Sequence, residues 1–279
     1  MNRGGEKTST RGFTVVETLI VLAVTSGLFV ITAVAINGRQ QKTEFQVGIR
    51  NLQQQFQEII TQATTGYYPV NGTFQCRMQP GNNVQLTGGT NEQGSNDACI
   101  FAGKTVVVGG AQHGDNYSVF SLAARRVQDD LVTDVSSPVG ANVTAIAPSA
   151  ANPSSPNTED INPVPNGLTF VQARPVGGAW SNAEIATSFM SGFANFEGIG
   201  SQAGGSQRLE LRGFSAWSTA QSDADTINAE ASVGAGGYPL RPNGVEYCFR
   251  SNGTNQSVII SISSGLTVSY KIRSGVVCA

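Results

Sequence analysis

RGFTVVETLIVLAVTSGLFVITAVAINGR (11–39) runs straight into QQKTEFQVGIRNLQQQFQEIITQA (40–63), and the reading of this stretch decides the fold. Leu19 to Ile36 is a run of eighteen residues without a charge, and from Phe13 to Asn37 the only charge is Glu17. Eighteen to twenty-five residues at about 1.5 Å each suffice to cross a hydrocarbon core of roughly 30 Å. The fragment before it, MNRGGEKTSTRG, sets Arg3, Lys7 and Arg11 against Glu6, a bias that keeps the short side cytoplasmic. A secretory signal peptide is the simpler reading, with Asn37-Gly38 as its cleavage site. Such a peptide has an apolar core of about 7–15 residues followed by a polar break. Here the core is longer, and Gly38-Arg39 leads into more helix. Beyond it, Phe45, Ile49, Leu52, Phe56, Ile59, Ile60 and Ala63 recur at helical spacing, with Gln53, Gln54, Gln55, Gln57 and Glu58 between them. The pattern predicts one unbroken helix over about 13–63, a transmembrane half (about 13–37) followed by an amphipathic half. It ends at Thr64-Thr65-Gly66 and Tyr67-Tyr68-Pro69.

Glu17 needs an explanation. An ionised carboxylate costs about 2.5 kcal/mol or more in a membrane segment, so it calls for a partner or a task. Cleavage after Gly12 would create an α-amine on Phe13, one helical turn from Glu17. The carboxylate could then pair with its own amine or with that of a neighbouring copy. The same cut would remove the whole basic flank.

RGFTVVETLIVL resembles the class III signal of type IV pilins and of the pseudopilins of type II secretion, over Arg11 to roughly Ala35. The resemblance implies a leader peptide (1–12), cleavage by a membrane prepilin peptidase between Gly12 and Phe13, N-methylation of Phe13, and an assembly role for Glu17. It implies as partners the prepilin peptidase, other pilin subunits through the N-terminal helix, and an inner-membrane assembly platform. It also implies a single-pass precursor in the cytoplasmic membrane that moves to an extracellular filament. One departure is the mid-helix proline of many major pilins: this chain has no proline before Pro69. Gly27 and Gly38 are the candidate weak points, since glycine costs about 1 kcal/mol inside a helix.

Composition bounds the rest. The chain has 279 residues with 17 Lys+Arg and 19 Asp+Glu, and loss of 1–12 removes three basic residues and one acidic one. That leaves 14 against 18, a net charge of −4, without the basic footprint of nucleic-acid binding. Charged residues make up 13% and glycines number 33, as suits a turn-rich extracellular head (64–279). The four cysteines, Cys76, Cys99, Cys248 and Cys278, all follow the apolar run. An even number in a translocated region favours disulfides, with three connectivities. Cys76–Cys99 and Cys248–Cys278 are preferred because each closes a short local loop. No Cys-x-x-Cys occurs, so no zinc site is expected, and no metal or other cofactor is implied.

Along the head, Thr105–Val108, Tyr117–Ala124, Gly167–Arg174 and Gln207–Arg212 read as strands, with Val119 and Phe120 expected to be only partly buried. The proline-rich stretch Pro138 to Pro165 reads as an extended surface crossing. Ala179 to Phe193 fits a short amphipathic helix or an irregular strand pair. Arg125-Arg126 with Asp129, Asp130 and Asp134 fits a solvated edge better than a cation site. Residues 245–272 predict a three-strand antiparallel meander with glycine-bearing turns. Its order, ending in Cys278, resembles the head of minor pilins and pseudopilins of the FimT/GspH type. The stretch of about 111–237 then counts as elaboration. The overall expectation is an α+β chain: a long N-terminal α-helix joined to a C-terminal antiparallel β-rich head.

Enzyme constellations are missing. His113 is the single histidine, in what reads as a turn, and no nucleotide-binding glycine motif occurs. Tyr67, Tyr68, Trp180 and Trp217 could form a ligand patch, though single aromatics more often belong to core or rim. The leading expectation is a structural, non-enzymatic subunit of a type IV pilus-like filament, most simply a minor pilin. Its rivals are a type II secretion pseudopilin or major pilin, and a filament-presented adhesin that uses 138–165 on a surface or glycan.

Overall fold

The computed structural model describes residues 12, 14–66, 74–78, 84–88, 99–109, 113–125, 133, 135–147, 157–165, 167–182, 185–191, 209–213, 223–232, 240–275 and 278. The first element is a continuous helix, α1 (Val15–Thr65), of 51 residues. Thr14 starts it: its Oγ1 accepts the Glu17 backbone N–H at 3.3 Å, satisfying one of the donors left open in a first turn. Gly66 ends it with φ 68°, its N–H donating back to Ala63 O at 3.4 Å. A left-handed residue after the last turn is glycine's ordinary place. Neither Gly27 nor Gly38 breaks the helix. Residues 1–44 and residues 45–279 form two compact units.

The strands follow in chain order: β1 (Phe74–Met78), β2 (Val84–Gly88), β3 (Cys99–Gly109), β4 (His113–Arg125), β5 (Thr144–Ala145), β6 (Asp160–Pro163), β7 (Leu168–Pro175), β8 (Ile185–Ser191) and β9 (Leu209–Gly213). A short helix, α2 (Asp223–Ser232), comes before β10 (Val245–Ser251), β11 (Gln256–Ile262) and β12 (Val268–Ser274). β1 and β2 form a hairpin. β7 extends the expected meander into a four-stranded sheet, β12-β11-β10-β7. A six-stranded sheet has the order β5-β4-β3-β8-β9, with β6 also paired to β4. The described pairings are antiparallel. The α+β expectation therefore holds, as an apolar N-terminal helix followed by antiparallel sheets.

Strand periodicity makes two cores out of one sheet. Val106, Val108, Tyr117, Val119, Phe189 and Leu211 pack with Tyr247, Phe249, Val258 and Ile260 of the four-stranded sheet and with the apolar stripe of α1. Val107, Phe120, Leu122, Ala186 and Met190 point the other way, into a second cluster closed by Val135, Ala141, Val143, Ala145 and Ala147 and by Ala224 and Ile227 of α2.

Several expectations change here. Val119 and Phe120 are fully buried, because β4 is an interior strand with both faces covered. Pro138 to Pro165 is not a bare surface crossing: Ala141, Val143, Ala145 and Ala147 line the second core, and β5 and β6 pair with β4. Proline placement made it look solvated, but prolines spare the apolar residues between them. Ala179 to Phe193 resolves to strand β8 over Ile185–Ser191. His113 opens β4, opposite Gly109, and is not in an isolated turn. Residues 126, 129, 130 and 134 and the aromatics Tyr67, Tyr68 and Trp217 lie outside the described residues.

Candidate functional site

From Val15 to Val34 every side chain of α1 is exposed on all sides of the helix, Val15 at 76% and Phe29 at 77%. A soluble surface helix confines its apolar residues to a stripe; apolar residues all round belong in an apolar surrounding. The polar side chains of this segment agree. Thr18 Oγ1 donates to Val15 O, Thr25 Oγ1 to Val21 O, Ser26 Oγ to Leu22 O and Thr32 Oγ1 to Leu28 O, at 2.7–2.8 Å. Each hydroxyl is satisfied by its own helix, which is what hydrocarbon requires of it. Among the described residues, α1 is the one helix long and apolar enough to cross a membrane.

Glu17 stands apart. It sits in the first turn, where the helix dipole favours a negative charge, and no described side chain pairs with its carboxylate. Thr14-Val15-Val16-Glu17 has the Ser/Thr-x-x-Glu spacing of a helix start, and the Thr14 half of that arrangement is formed. That signal was present in the sequence but was not used to place the helix boundary. Gly12 is exposed, with nothing within 4 Å of where a Cβ would stand, so its backbone is open to approach. Phe13 lies outside the described residues.

The second half of α1 meets different surroundings. Phe45, Ile49, Leu52, Phe56, Ile59, Ile60 and Ala63 are all buried. Phe56 stacks on Tyr247 with ring centroids 5.4 Å apart and lies tilted against Tyr117 at 5.8 Å. Two polar contacts fix the helix in rotation: Gln53 Nε2 donates to Val268 O at 3.0 Å, and Lys104 Nζ donates to Gln62 Oε1 at 2.5 Å. Burial lowers the Lys104 pKa, against the opposing pull of Asp160 and Glu58. Burial also raises the pKa of the Tyr117 phenol, reinforced by the same two carboxylates. Sequence singled out Tyr117 only as the start of a strand and did not single out Lys104, because a lone lysine in a strand carries no sign of burial.

Cys248 and Cys278 form a disulfide across a separation of 30 residues, tying the chain's last described residue to β10. The side chains of Cys76 and Cys99 lie outside the described residues, although their backbones fall in β1 and β3. Among the described residues no group of three or more His, Cys, Asp or Glu could hold a metal ion.

No family model matches the chain, and no curated protein or solved structure does either.

Proposed function

We propose that the protein is a structural subunit of a type IV pilus-like filament, cleaved by a prepilin peptidase between Gly12 and Phe13 and N-methylated on Phe13. It waits in the cytoplasmic membrane as a single-pass precursor, and an assembly platform then inserts it among other subunits by its N-terminal helix. The observation that carries this reading is the division of α1 at Phe45. Up to Ile36 its described side chains are exposed, apolar and internally satisfied apart from Glu17; from Phe45 on its stripe is buried in the head. A secretory signal peptide has no use for the second property, because its cleavage would cut a continuous helix.

In the filament the apolar segments of neighbouring copies cover one another, and Glu17 pairs with the amine of Phe13 on the same or an adjacent copy. An unpaired carboxylate there is costly, so the pairing sets register. The test is peptide mass spectrometry on sheared surface filaments beside the membrane fraction. A peptide beginning at N-methylated Phe13, at low ratio to another pilin, is the expected result for a minor subunit. The same peptide as the dominant species makes it the major subunit. An N-terminus after Gly38, or an uncleaved form confined to membranes, overturns the filament reading.

A binding-module role for 138–165 requires that stretch to be free for a ligand. Ala141, Val143, Ala145 and Ala147 are core residues, so deleting it would unfold the head instead of testing adhesion. Substitutions at exposed positions such as Ile161 give the cleaner test.

A further inference from the structure

A cavity of about 120 Å³ opens between the four-stranded and six-stranded sheets, where β7 and β10 face β8. Its wall is mostly apolar, with Ala173, Ile185 and Val245 prominent. An apolar cavity of roughly 150 Å³ holds a molecule the size of benzene, so this one has room for about four to six heavy atoms.

The charges around it do not balance. Arg174 lines the cavity but is engaged: its Nε meets Glu246 Oε2 at 2.7 Å, and its guanidinium carbon lies 4.2 Å above the Trp180 ring. Glu210 is engaged as well, 2.7 Å from Arg212. Arg241 also lines the cavity, and no described carboxylate pairs with it. Its Nη2 donates to Gly213 O at 3.1 Å, and the other guanidinium N–H groups of this partly buried cation meet no anion among the described residues. Its backbone is held in place, N–H to Leu211 O and C=O from Gly244 N–H, so the side chain starts from a fixed point. Burial lowers the Arg241 pKa, and no neighbouring acid opposes that shift. A guanidinium beside apolar walls is complemented by a planar anion that offers two oxygens to its fork.

We propose that this cavity binds a small monocarboxylate with a short aliphatic chain, its carboxylate held by Arg241 and its tail against Ala173, Ile185 and Val245. A dicarboxylate would bury a second charge with no described lining cation left to receive it, since Arg174 is already paired with Glu246. A neutral molecule of the same shape would leave Arg241 uncompensated. The site is independent of the filament reading, because it lies wholly within the head.

The test is isothermal titration calorimetry on the full chain in non-ionic detergent micelles, with butyrate, butanol and butylammonium as probes and empty micelles subtracted. Butyrate should bind with a dissociation constant on the order of 1 mM, as suits so few atoms. Butanol and butylammonium should bind at least tenfold more weakly. Arg241→Gln should weaken butyrate at least tenfold, and Arg241→Lys by less, because it keeps the charge and loses the fork. Ala179→Leu, at an exposed lining position, takes up cavity space while keeping the Arg241 guanidinium and should also weaken butyrate tenfold. It is the informative variant if Arg241→Gln does not fold. No butyrate binding to the wild-type chain, equal affinity for butanol, or unchanged affinity in Ala179→Leu overturns the proposal.

Discussion

Two phenylalanines on one helix should respond oppositely to the same substitution. Phe56 is fully buried and packs against Tyr247 and Tyr117, whereas Phe29 is 77% exposed. Truncating a buried phenylalanine costs about 3–5 kcal/mol through lost transfer energy and the cavity left behind. Aromatic pairs carry about 0.5–1.5 kcal/mol beyond their area, which places Phe56→Ala near the upper end, at about 4–5 kcal/mol. Against a domain stability of roughly 5–15 kcal/mol, that is a large fraction. Phe29 belongs to neither core cluster, so Phe29→Ala should change head stability by no more than about 0.5 kcal/mol. The assay is urea unfolding of the full chain in detergent, followed by tryptophan fluorescence. With a slope of about 2.5 kcal/mol/M, Phe56→Ala should lower the midpoint by about 1.5–2 M, and Phe29→Ala should leave it in place. A Phe56→Ala shift below about 0.4 M would refute the docking of this half of the helix. A Phe29→Ala shift as large as that of Phe56→Ala would refute the division at Phe45.

Other positions give sharp expectations. Gly244 has φ 97°, and a Cβ there would stand 2.2 Å from Ile262 O. Gly177 has φ 85° with nothing within 4 Å. Thermal unfolding should therefore show Gly244→Ala losing more than about 2 kcal/mol and Gly177→Ala only about 1 kcal/mol, the backbone strain alone. Replacing Cys248 and Cys278 together by serine frees a 30-residue loop in the unfolded chain and should cost about 3.5 kcal/mol, read as a lower urea midpoint. Burial raises the pKa of Tyr117 and Tyr247 above the ordinary 10.0, so their stabilising contribution is complete below pH 10 and is lost as pH rises further. Tyr117→Phe should reduce that alkaline loss at little cost at pH 7, because the Tyr117 hydroxyl has no partner among the described residues. Tyr247→Phe should reduce the loss too, but should cost about 1–2 kcal/mol at pH 7 by stranding Thr187 Oγ1, the hydroxyl's hydrogen-bond partner.

The helix was legible because its two periodicities are long and clean: an unbroken apolar run, then a stripe whose seven members are all buried. The meander was legible for the same reason, with β-branched alternation between glycine turns marking β10 to β12. What escaped were features set by tertiary partners. β7 joins that meander from seventy or more positions away, and no local pattern announces the pairing. Alanine-rich loop 141–147 became core because the second face of the six-stranded sheet had to be covered, and small residues allow the chain to lie close to it. Helix α2 has only ten residues, with Asp223 and Asp225 in its first turn, too short a signal to stand out. Within the candidate site, Glu17 was conspicuous as one charge in a long apolar run. Lys104 was not, because its burial depends on Gln62, forty-two positions away.

If the protein is a membrane-held filament subunit as proposed, the chemistry of α1 also ranks its residues by importance for assembly. In the bilayer, Leu19, Phe29, Ile31 and their neighbours already contact an apolar solvent. Exchanging lipid tails for like helices therefore gains packing but little hydrophobic energy. Thr18, Thr25, Ser26 and Thr32 carry their own hydrogen bonds in either setting and do not favour one over the other. Glu17 is the group whose free energy changes most. Alone in the membrane it costs about 2.5 kcal/mol or more, and that penalty is relieved when a partner cation arrives. Under the filament reading, Glu17 dominates the free-energy difference between the membrane pool and the fibre. Glu17→Gln, which keeps shape and loses charge, should cut incorporation into filaments at least tenfold while leaving cleavage after Gly12 intact. Phe29→Ala should cut it by less than threefold, because a truncated side chain loses packing in one setting and lipid contact in the other. Quantifying both variants in filament and membrane fractions decides the matter. Equal losses would mean that apolar packing, and not the carboxylate, drives subunits out of the bilayer.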